Sequence, residues 1–184
     1  MANSYFSVKV QNEKQKTFYS FLCSVFLTIT MRILFVCLGN ICRSPAAEAI
    51  FTHLIEQNKL WKTISCDSAG TAGYHEGQGA YPKMINVAGK RGYKVTSISR
   101  QVRPDEDFEE FDLIVAMDNQ NIADLTRMAP LGNAKAKICK MTDFALRKNY
   151  TYVPDPYYGD TRDYELVIDI LEDACEGLLQ SITN

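Results

Sequence analysis

One stretch of the chain decides the fold, and it runs Arg32-Ile33-Leu34-Phe35-Val36-Cys37-Leu38-Gly39-Asn40-Ile41-Cys42-Arg43-Ser44-Pro45-Ala46. The four apolar residues from Ile33 to Val36 predict a buried strand, because a short apolar run bounded by turn residues is typical of one. Gly39 and Asn40 predict a short loop, and Pro45 suits the first turn of a helix. The sequence therefore predicts a strand, a tight loop and a helix in succession.

The predicted loop carries a thiol and a guanidinium at a spacing that indicates an anion site. Five residues separate Cys37 from Arg43, so the backbone N–H groups of the loop can surround one point between the two side chains. The loop amides, the helix dipole and Arg43 all favour the thiolate form of Cys37. Arg43 can hold two oxygens of a tetrahedral anion, and Ser44 can donate a hydrogen bond to the sulfur when it leaves. Phosphate fits each of these groups.

An isolated cysteine beside a glycine is more often a small buried apolar residue than a nucleophile. Here the strand before it and the arginine and helix after it favour catalysis. The run from Cys37 to Pro45 resembles the signature of the low-molecular-weight protein tyrosine phosphatases, Cys-x5-Arg-Ser, which it matches at Cys37, Arg43 and Ser44. The resemblance extends from about residue 32 to the C-terminus. It implies a metal-independent and cofactor-free phosphatase that hydrolyses phosphotyrosine through a cysteinyl-phosphate intermediate.

The resemblance also implies roles for individual side chains. Asn40 should brace the loop, and Asp118 should help to position Arg43. Ser97 stands where family members commonly have a histidine that hydrogen-bonds the loop asparagine, which removes one expected brace. Cys42 matches a family cysteine that can form a reversible disulfide with the nucleophile, and passive packing is the alternative. The predicted substrate-binding residues are Leu38, Gly39, Asn40, Ile41, Cys42, Ser44, Tyr74, Tyr157 and Tyr158.

Asp155 is the predicted general acid. Cleavage of a tyrosine phosphate releases a phenolate whose conjugate acid has a pKa of about 10, so a positioned carboxylic acid should assist it. Prolines on both sides restrict the backbone of Asp155, and the two tyrosines that follow offer aromatic walls for a phenyl ring. An ordinary Pro-Asp-Pro turn is the alternative. The similar Asp-Pro-Tyr-Tyr-Gly run that carries the family's general acid favours the catalytic role.

Composition predicts one globular domain in a reducing compartment. The chain has 184 residues, of which 46% are apolar and 23% charged, and its formal net charge is −2. That balance does not favour nucleic-acid or membrane partners. The six cysteines lack metal-ligand or dense disulfide spacing, so we expect a cytoplasmic protein without a metal. The oligomeric state is not specified.

Residues 1–30 do not fit the rest of the chain. Three lysines precede an apolar run from Phe18 to Leu27, which has the outline of a signal peptide or a short helix. This run is too short to span a bilayer. We therefore divide the chain into an extension, residues 1–30, and a phosphatase domain, residues 31–184. Three explanations of the extension stay open: a mis-assigned upstream start, a docking or disordered segment, and a secretory signal.

The remaining pattern predicts an α/β fold. Apolar periodicity favours helices after residue 45, over 81–91, over 119–129 and after Asp160, which can cap the last helix. Strands are expected over 64–67, 111–118 and 136–139, while residues 95–102 are ambiguous. Strands that alternate with helices imply a four-stranded parallel sheet with helices on both faces, and the resemblance implies the strand order 2-1-3-4. Ligands of such sheets bind at the carboxyl ends of the strands, where Cys37 lies.

Three other functions are compatible with parts of this pattern. An arsenate reductase shares the fold and the Cys-x5-Arg loop but needs two further, closely spaced redox cysteines, which this chain does not offer. An arginine-phosphate phosphatase typically has a threonine where this loop has the larger Ile41. A non-catalytic phosphate-binding module would not need both Cys37 and Asp155. Phosphotyrosine hydrolysis on protein substrates is therefore the favoured hypothesis.

Overall fold

The structure, a computed structural model, describes residues 30–132, 137–147 and 150–183. Strands and helices alternate over most of this range, as the sequence pattern predicts. A short 3₁₀-helix, Met141–Phe144, follows the last strand. The strands and helices are β1 (Met31–Cys37), α1 (Arg43–Gln57), β2 (Ile64–Gly70), α2 (Pro82–Lys90), α3 (Pro104–Glu110), β3 (Leu113–Ala116), α4 (Asn119–Met128), β4 (Ile138–Lys140) and α5 (Thr161–Thr183).

The four strands form one parallel sheet in the order β2-β1-β3-β4, which confirms the predicted fold class and topology. β1 pairs with β2 along its whole length, from Met31 opposite Ile64 to Cys37 opposite Gly70. On its other side Val36 lies opposite Ala116 of β3. Because all strands point the same way, the loops after β1, β2 and β3 leave the sheet at one edge. This edge carries the candidate site.

Successive residues of β1 point to opposite faces of the sheet, so each face has its own apolar cluster. Ile33 and Phe35 belong to the larger cluster, which α1, α2 and α5 cover. There the ring of Phe35 meets Phe51 of α1 edge to face, with the ring centroids 5.6 Å apart. Leu34 and Val36 belong to the smaller cluster under α3 and α4. The continuous apolar run in β1 therefore reflects burial on both faces.

The structure differs from the sequence prediction in local detail. α3 is not predicted, because seven residues are too few to show helical periodicity, although Pro104 and three acidic residues in its first turn are ordinary helix-start signals. The ambiguous residues 95–102 are extended, and Gln101 bridges to Gly70 at the end of β2. β2 is three residues longer than expected, because small residues pair with β1 as far as Gly70. The last strand is shifted to Ile138–Lys140, and residue 136 lies outside the described residues.

The predicted N-terminal extension, residues 1–30, lies outside the described residues except for Thr30. Within the described ranges, no helix is both long enough and apolar enough to cross a bilayer. The first backbone hydrogen bond of the sheet is donated by Met31 N to Thr63 O at 2.7 Å. As far as the chain is described, both clusters of buried apolar residues are built from residues after Thr30.

We predict that a protein beginning at Met31 folds and turns over substrate like the full chain, because the sheet and both clusters form from residues 31 onwards. The measurements are urea unfolding followed by circular dichroism and steady-state hydrolysis of an aryl phosphate, with the full-length protein as the control. A shortened protein that is insoluble, or that unfolds without a cooperative transition, would show that residues 1–30 are structural.

Candidate active site

The loop between β1 and α1 places an open helix N-terminus at the edge of the sheet. Cys37 is the last residue of β1, and α1 begins at Arg43. The cap residue Cys42 makes no side-chain capping bond, and the first turn of α1 has no acidic residue. The first N–H groups of a helix lack intrahelical partners and favour negative charge. The start of α1 is therefore available to an anion.

The carbonyl groups of this loop face outward, so its N–H groups face inward. In a planar trans peptide the C=O of one residue and the N–H of the next point in opposite directions. Three peptide planes in the loop are fixed in this way by hydrogen bonds from outside it. The bonds run from Ala72 N to Leu38 O at 2.9 Å, from Ser99 Oγ to Gly39 O at 3.1 Å and from Tyr81 N to Ile41 O at 2.7 Å.

Asn40 holds the middle of the loop. Its φ of 52° lies in the left-handed region, which asparagine tolerates better than most residues. The side chain is 1% exposed, and its Nδ2 donates to Ser44 Oγ at 3.0 Å and to Ser68 Oγ at 2.9 Å. Its Oδ1 accepts from Arg100 N at 2.9 Å. All hydrogen-bonding groups of this buried amide are therefore engaged.

A second group of side chains supports Asn40 from behind. Ser68 Oγ donates to Glu48 Oε2 at 2.5 Å and so links Asn40 to this carboxylate. Burial raises the pKa of Glu48, and the nearby charge of Asp67 adds to the effect. The buried amide of Asn40 thus has its hydrogen-bond partners without any contribution from a histidine.

Ser44 lies beside the sulfur. Its Oγ is 3.1 Å from Cys37 Sγ and 3.2 Å from Ala69 O, and the residue is fully buried. A hydroxyl in this position can donate to a thiolate. Ser44 and Asn40 were expected among the substrate-binding residues, but their side chains lie behind the loop and outside the cavity.

Arg43 is buried and held by two carboxylates. Its NH1 donates to Asp118 Oδ2 at 2.6 Å and to Val153 O at 3.3 Å, while NH2 donates to Asp155 Oδ2 at 2.8 Å. The guanidinium is 3% exposed, whereas the Asp155 side chain is 43% exposed. Burial opposes the charge of Arg43, but Cys37, Asp155 and Asp118 outweigh it and raise its pKa. Arg43 therefore stays charged, and the residues predicted at 43, 118 and 155 meet in space.

Backbone contacts bring Asp155 to the loop across more than a hundred residues of sequence. Val153 N donates to Met117 O at 2.8 Å, which fixes the segment before Asp155 at the end of β3. Asp118 follows β3 directly; its Oδ1 caps α4 by accepting from Asn121 N at 2.7 Å, and its other oxygen binds Arg43. The edge of the sheet thus carries the nucleophile candidate and the acid candidate together.

Aromatic and apolar side chains wall a cavity of about 400 Å³ above Cys37. The rings of Tyr157 and Tyr158 meet edge to face at 4.9 Å between centroids, and Tyr157 also packs against Tyr81 at 5.3 Å. Tyr74 and Tyr158 are mostly exposed at the mouth. The predicted site residues that line the cavity are Cys37, Leu38, Gly39, Ile41, Cys42, Arg43, Tyr74, Asp155, Tyr157 and Tyr158.

Sequence reasoning missed two of the groups in and around this cavity. His75 lines it and is the residue after Tyr74, so the small-residue loop before Tyr74 was the available signal. Arg100 braces the loop through its backbone N–H, while its guanidinium pairs with Asp67 and Asp107 at 2.8 Å and 2.9 Å. No local pattern marks this second role, because it depends on how residues 99–101 cross the loop.

Comparison with known proteins agrees with this geometry. The family model described as low molecular weight phosphotyrosine protein phosphatase matches residues 32–184. The chain belongs to this family. A relative from Synechocystis, named a putative low molecular weight protein-tyrosine-phosphatase, is 49% identical over 152 residues, which are 83% of this chain and 96% of that protein.

Solved structures of phosphatases share the fold. A protein tyrosine phosphatase from Entamoeba histolytica, crystallised with Hepes in its active site, superimposes with a TM-score of 0.81 at 52% identity, covering 84% of this chain and 97% of that one. YfkJ from Bacillus subtilis superimposes with a TM-score of 0.77 at 39% identity, covering 84% and 95% of the two chains.

In this phosphatase the second cysteine of the loop is a poor nucleophile. Burial raises the pKa of Cys42 to about 12, and the neighbouring Cys37 and Asp155 add to the effect. The five cysteines within the described ranges are all free thiols. Among the same residues, no group of three or more His, Cys, Asp or Glu side chains is arranged to hold a metal ion.

We predict that Arg43→Lys lowers kcat/KM for an aryl phosphate by about 10²-fold or more, because an ammonium cannot make the parallel contacts of the guanidinium fork. The measurement is steady-state kinetics, with Arg32→Lys as the matched control. Arg32 forms an exposed ion pair with Glu110 at 3.0 Å and does not line the cavity. Similar losses in both variants would count against a specific role of Arg43.

Proposed function

We propose that the protein hydrolyses phosphotyrosine on protein substrates through a cysteinyl-phosphate intermediate and without a metal ion. The observation that carries the proposal is the meeting of Cys37, Arg43 and Asp155 in one cavity with aromatic walls. A thiol, a fixed cation with inward amides and a half-exposed carboxyl are the three groups that this reaction needs. The named relatives are phosphatases of the same kind.

In the first step the Cys37 thiolate attacks phosphorus, and an S–P bond forms as the P–O bond to the phenol breaks. Arg43 and the inward N–H groups of the loop hold the three equatorial oxygens, whose charge they match. Asp155, in its protonated form, gives its proton to the departing oxygen. The position of Asp155 suits this role, because its side chain lines the cavity and is 43% exposed.

In the second step a water molecule attacks the phosphorus of the cysteinyl phosphate. Asp155, now ionised, takes a proton from that water, and the S–P bond breaks to release inorganic phosphate. The returning negative charge on Cys37 is stabilised by Ser44, whose Oγ lies 3.1 Å from the sulfur. Ser44 is therefore proposed to act on the leaving sulfur rather than on the substrate.

The walls of the cavity favour an aryl phosphate. Tyr74, Tyr157 and Tyr158 present ring faces and edges at its mouth, and aromatic pairs add about 0.5–1.5 kcal/mol beyond their buried area. Ile41 also lines the cavity and narrows it, which disfavours the branched phosphoguanidine of an arginine-phosphate phosphatase.

An arsenate reductase is less well supported. Such an enzyme needs two further reactive cysteines on a mobile segment, whereas Cys66, Cys139 and Cys175 lie within β2, β4 and α5. Burial raises the pKa of Cys66 and of Cys139 to about 12, and it raises that of Cys175 as well. These thiols are therefore poor nucleophiles at neutral pH.

The cellular compartment, the partner and the division of the chain into two parts belong to the same proposal. We assign residues 31–184 to the phosphatase domain and residues 1–30 to an extension, in agreement with the range that the family model matches. Free thiols suit a reducing compartment such as the cytoplasm. The proposed partner is a protein bearing phosphotyrosine, and neither nucleic acid nor a membrane is required.

We predict that Cys37→Ser lowers turnover by about 10³-fold or more while vanadate and phosphate still bind, since the inward amides and Arg43 remain. The assay is a panel of phosphotyrosine, phosphoserine and phosphoarginine peptides in EDTA, with anion binding by calorimetry. The wild-type protein should prefer the phosphotyrosine peptide. Turnover by the variant close to that of the wild type would contradict the covalent mechanism. A preference of the wild type for the phosphoarginine peptide would contradict phosphotyrosine as the substrate.

We predict that Asp155→Ala lowers the rate at which phenyl phosphate and phosphotyrosine are hydrolysed by roughly 10²- to 10⁴-fold, because their phenolates need a proton to leave. For an aryl phosphate whose phenol is more acidic, the rate of the phenol-releasing step should fall much less. The measurement is the pre-steady-state burst of phenol across a leaving-group series, which isolates the first step from the water attack. A matched control is Asp160→Ala, which removes a carboxylate that pairs with Arg162 outside the cavity. Equal leaving-group slopes in Asp155→Ala and the wild type would require another acid.

A further inference from the structure

His75 is the one titratable side chain lining the described cavity that has no part in the mechanism above and is not a phenol or a buried thiol. Its ring lies against the loop between β1 and α1, at Gly39. A Cβ added to Gly39 would lie 3.1 Å from His75 Cδ2 and 3.8 Å from Nε2. The edge of the imidazole that carries Nε2 therefore faces the loop segment whose N–H groups point into the anion site.

Two neighbours fix the orientation of this ring. Nδ1 lies 3.1 Å from Gln78 Oε1, an amide oxygen that accepts a hydrogen bond when Nδ1 carries a hydrogen. The backbone of Gln78 is itself anchored, because its C=O accepts from Ser99 N at 2.8 Å. On the other side the ring is tilted against Tyr157, with the centroids 6.4 Å apart. Nε2 thus lies on the side of the ring that faces the loop.

The charged groups around His75 would favour a second cation when an anion is bound. The other ionisable groups of the cavity are Cys37, Cys42, Arg43, Asp155 and the phenols of Tyr74, Tyr157 and Tyr158, and Glu76 follows in the chain. Arg43 already shares its charge with Asp118 and Asp155. A phosphate dianion and the Cys37 thiolate would bring further negative charge to the site. Among the described cavity residues, His75 is the only other side chain that can become cationic.

We propose that His75 is a second anion-binding residue, whose protonated ring tightens the binding of the phosphate dianion at the loop. The proposal rests on the proposed function, since it assigns a further group to the same anion site. Imidazole is the side chain whose charge changes between about pH 5 and pH 8, so binding of the dianion becomes stronger as the pH falls through this range. His75 thereby makes phosphate-ester affinity depend on pH independently of the chemical step.

The test uses sulfate, which stays a dianion over the whole pH range, and the Cys37→Ser background, which removes the ionisable thiol from the site. Sulfate binding is measured by calorimetry at about pH 5.5 and about pH 8 in four proteins. These are Cys37→Ser alone and Cys37→Ser combined with His75→Gln, His75→Arg or His53→Gln. His53→Gln is the matched control, because the chain has two histidines and His53 lies on α1 against Tyr93, outside the cavity.

We expect sulfate to bind about 3- to 10-fold more tightly at the lower pH in Cys37→Ser, a range set by one partly exposed charge near a dianion. The protein with Cys37→Ser and His53→Gln should show the same gain in affinity at the lower pH. The protein with Cys37→Ser and His75→Gln should lose at least half of that gain. Any gain that remains is assigned to the ionisable groups that every protein of the series shares. His75→Arg should bind sulfate tightly at both pH values. The same pH dependence in His75→Gln and its parent overturns the proposal, while sulfate that does not bind at any pH overturns the anion site itself.

A second measurement needs no change at His75. Linkage is reciprocal, so an anion that binds better to the protonated ring must lower the acid dissociation constant of this ring by the same factor. Ring proton resonances of the two histidines are followed by NMR in Cys37→Ser with and without saturating sulfate. The titration midpoint of His75 should move to higher pH by the decimal logarithm of the affinity ratio that calorimetry assigns to His75, and that of His53 should stay in place. A midpoint of His75 that sulfate does not move overturns the proposal.

Discussion

The outward direction of the carbonyl groups of Leu38, Gly39 and Ile41 is the constraint on which the site depends. A loop that turns its N–H groups towards one point cannot satisfy its own carbonyl oxygens, so these oxygens need donors from elsewhere in the fold. The donors come from three separate segments, at Ala72, Tyr81 and Ser99. The anion site therefore exists only when the loop after β2, the start of α2 and the extended residues 95–102 are all in place.

Close packing around the loop explains two residue choices that have no catalytic role. A Cβ at Gly70 would lie 2.7 Å from Leu38 O and 3.2 Å from Asn40 N, so any side chain there would push the loop away from β2. Asn40 combines a left-handed backbone with three hydrogen bonds from its amide. Replacing either residue would disturb the direction of the loop N–H groups without touching a reacting atom.

The electrostatics of the site follow from the burial of Arg43. A buried guanidinium needs partners, because an unpaired charge in the interior costs several kcal/mol. Asp118 and Asp155 provide them, but they differ in exposure, at 22% and 43%. The less exposed Asp118 also caps α4 and is held in place, whereas Asp155 lines the cavity. One cation thus anchors a structural carboxylate and orients the carboxyl that we propose as the acid.

Much of this architecture can be predicted from the sequence, because its signals are local. The apolar run before Cys37, the spacing from Cys37 to Arg43 and the alternation of strands with helices predict the parallel sheet and the position of the loop, and the resemblance to the phosphatase family implies the strand order. The prolines on either side of Asp155 indicate a restrained carboxyl. By contrast, α3 and the exact ends of β2 and β4 depend on pairing and packing between distant segments.

The sequence by itself determined the family, the parallel sheet and the candidate nucleophile, arginine and acid, since each depends on residues that are close together in the chain. Only the tertiary structure decided what surrounds them: the links from Asn40 to Ser68 and Arg100, and the ring of His75 against Gly39. These contacts join residues that are 28 to 60 positions apart, and no local pattern encodes them. They form because crossing segments meet at one edge of the sheet, where buried polar groups must find partners.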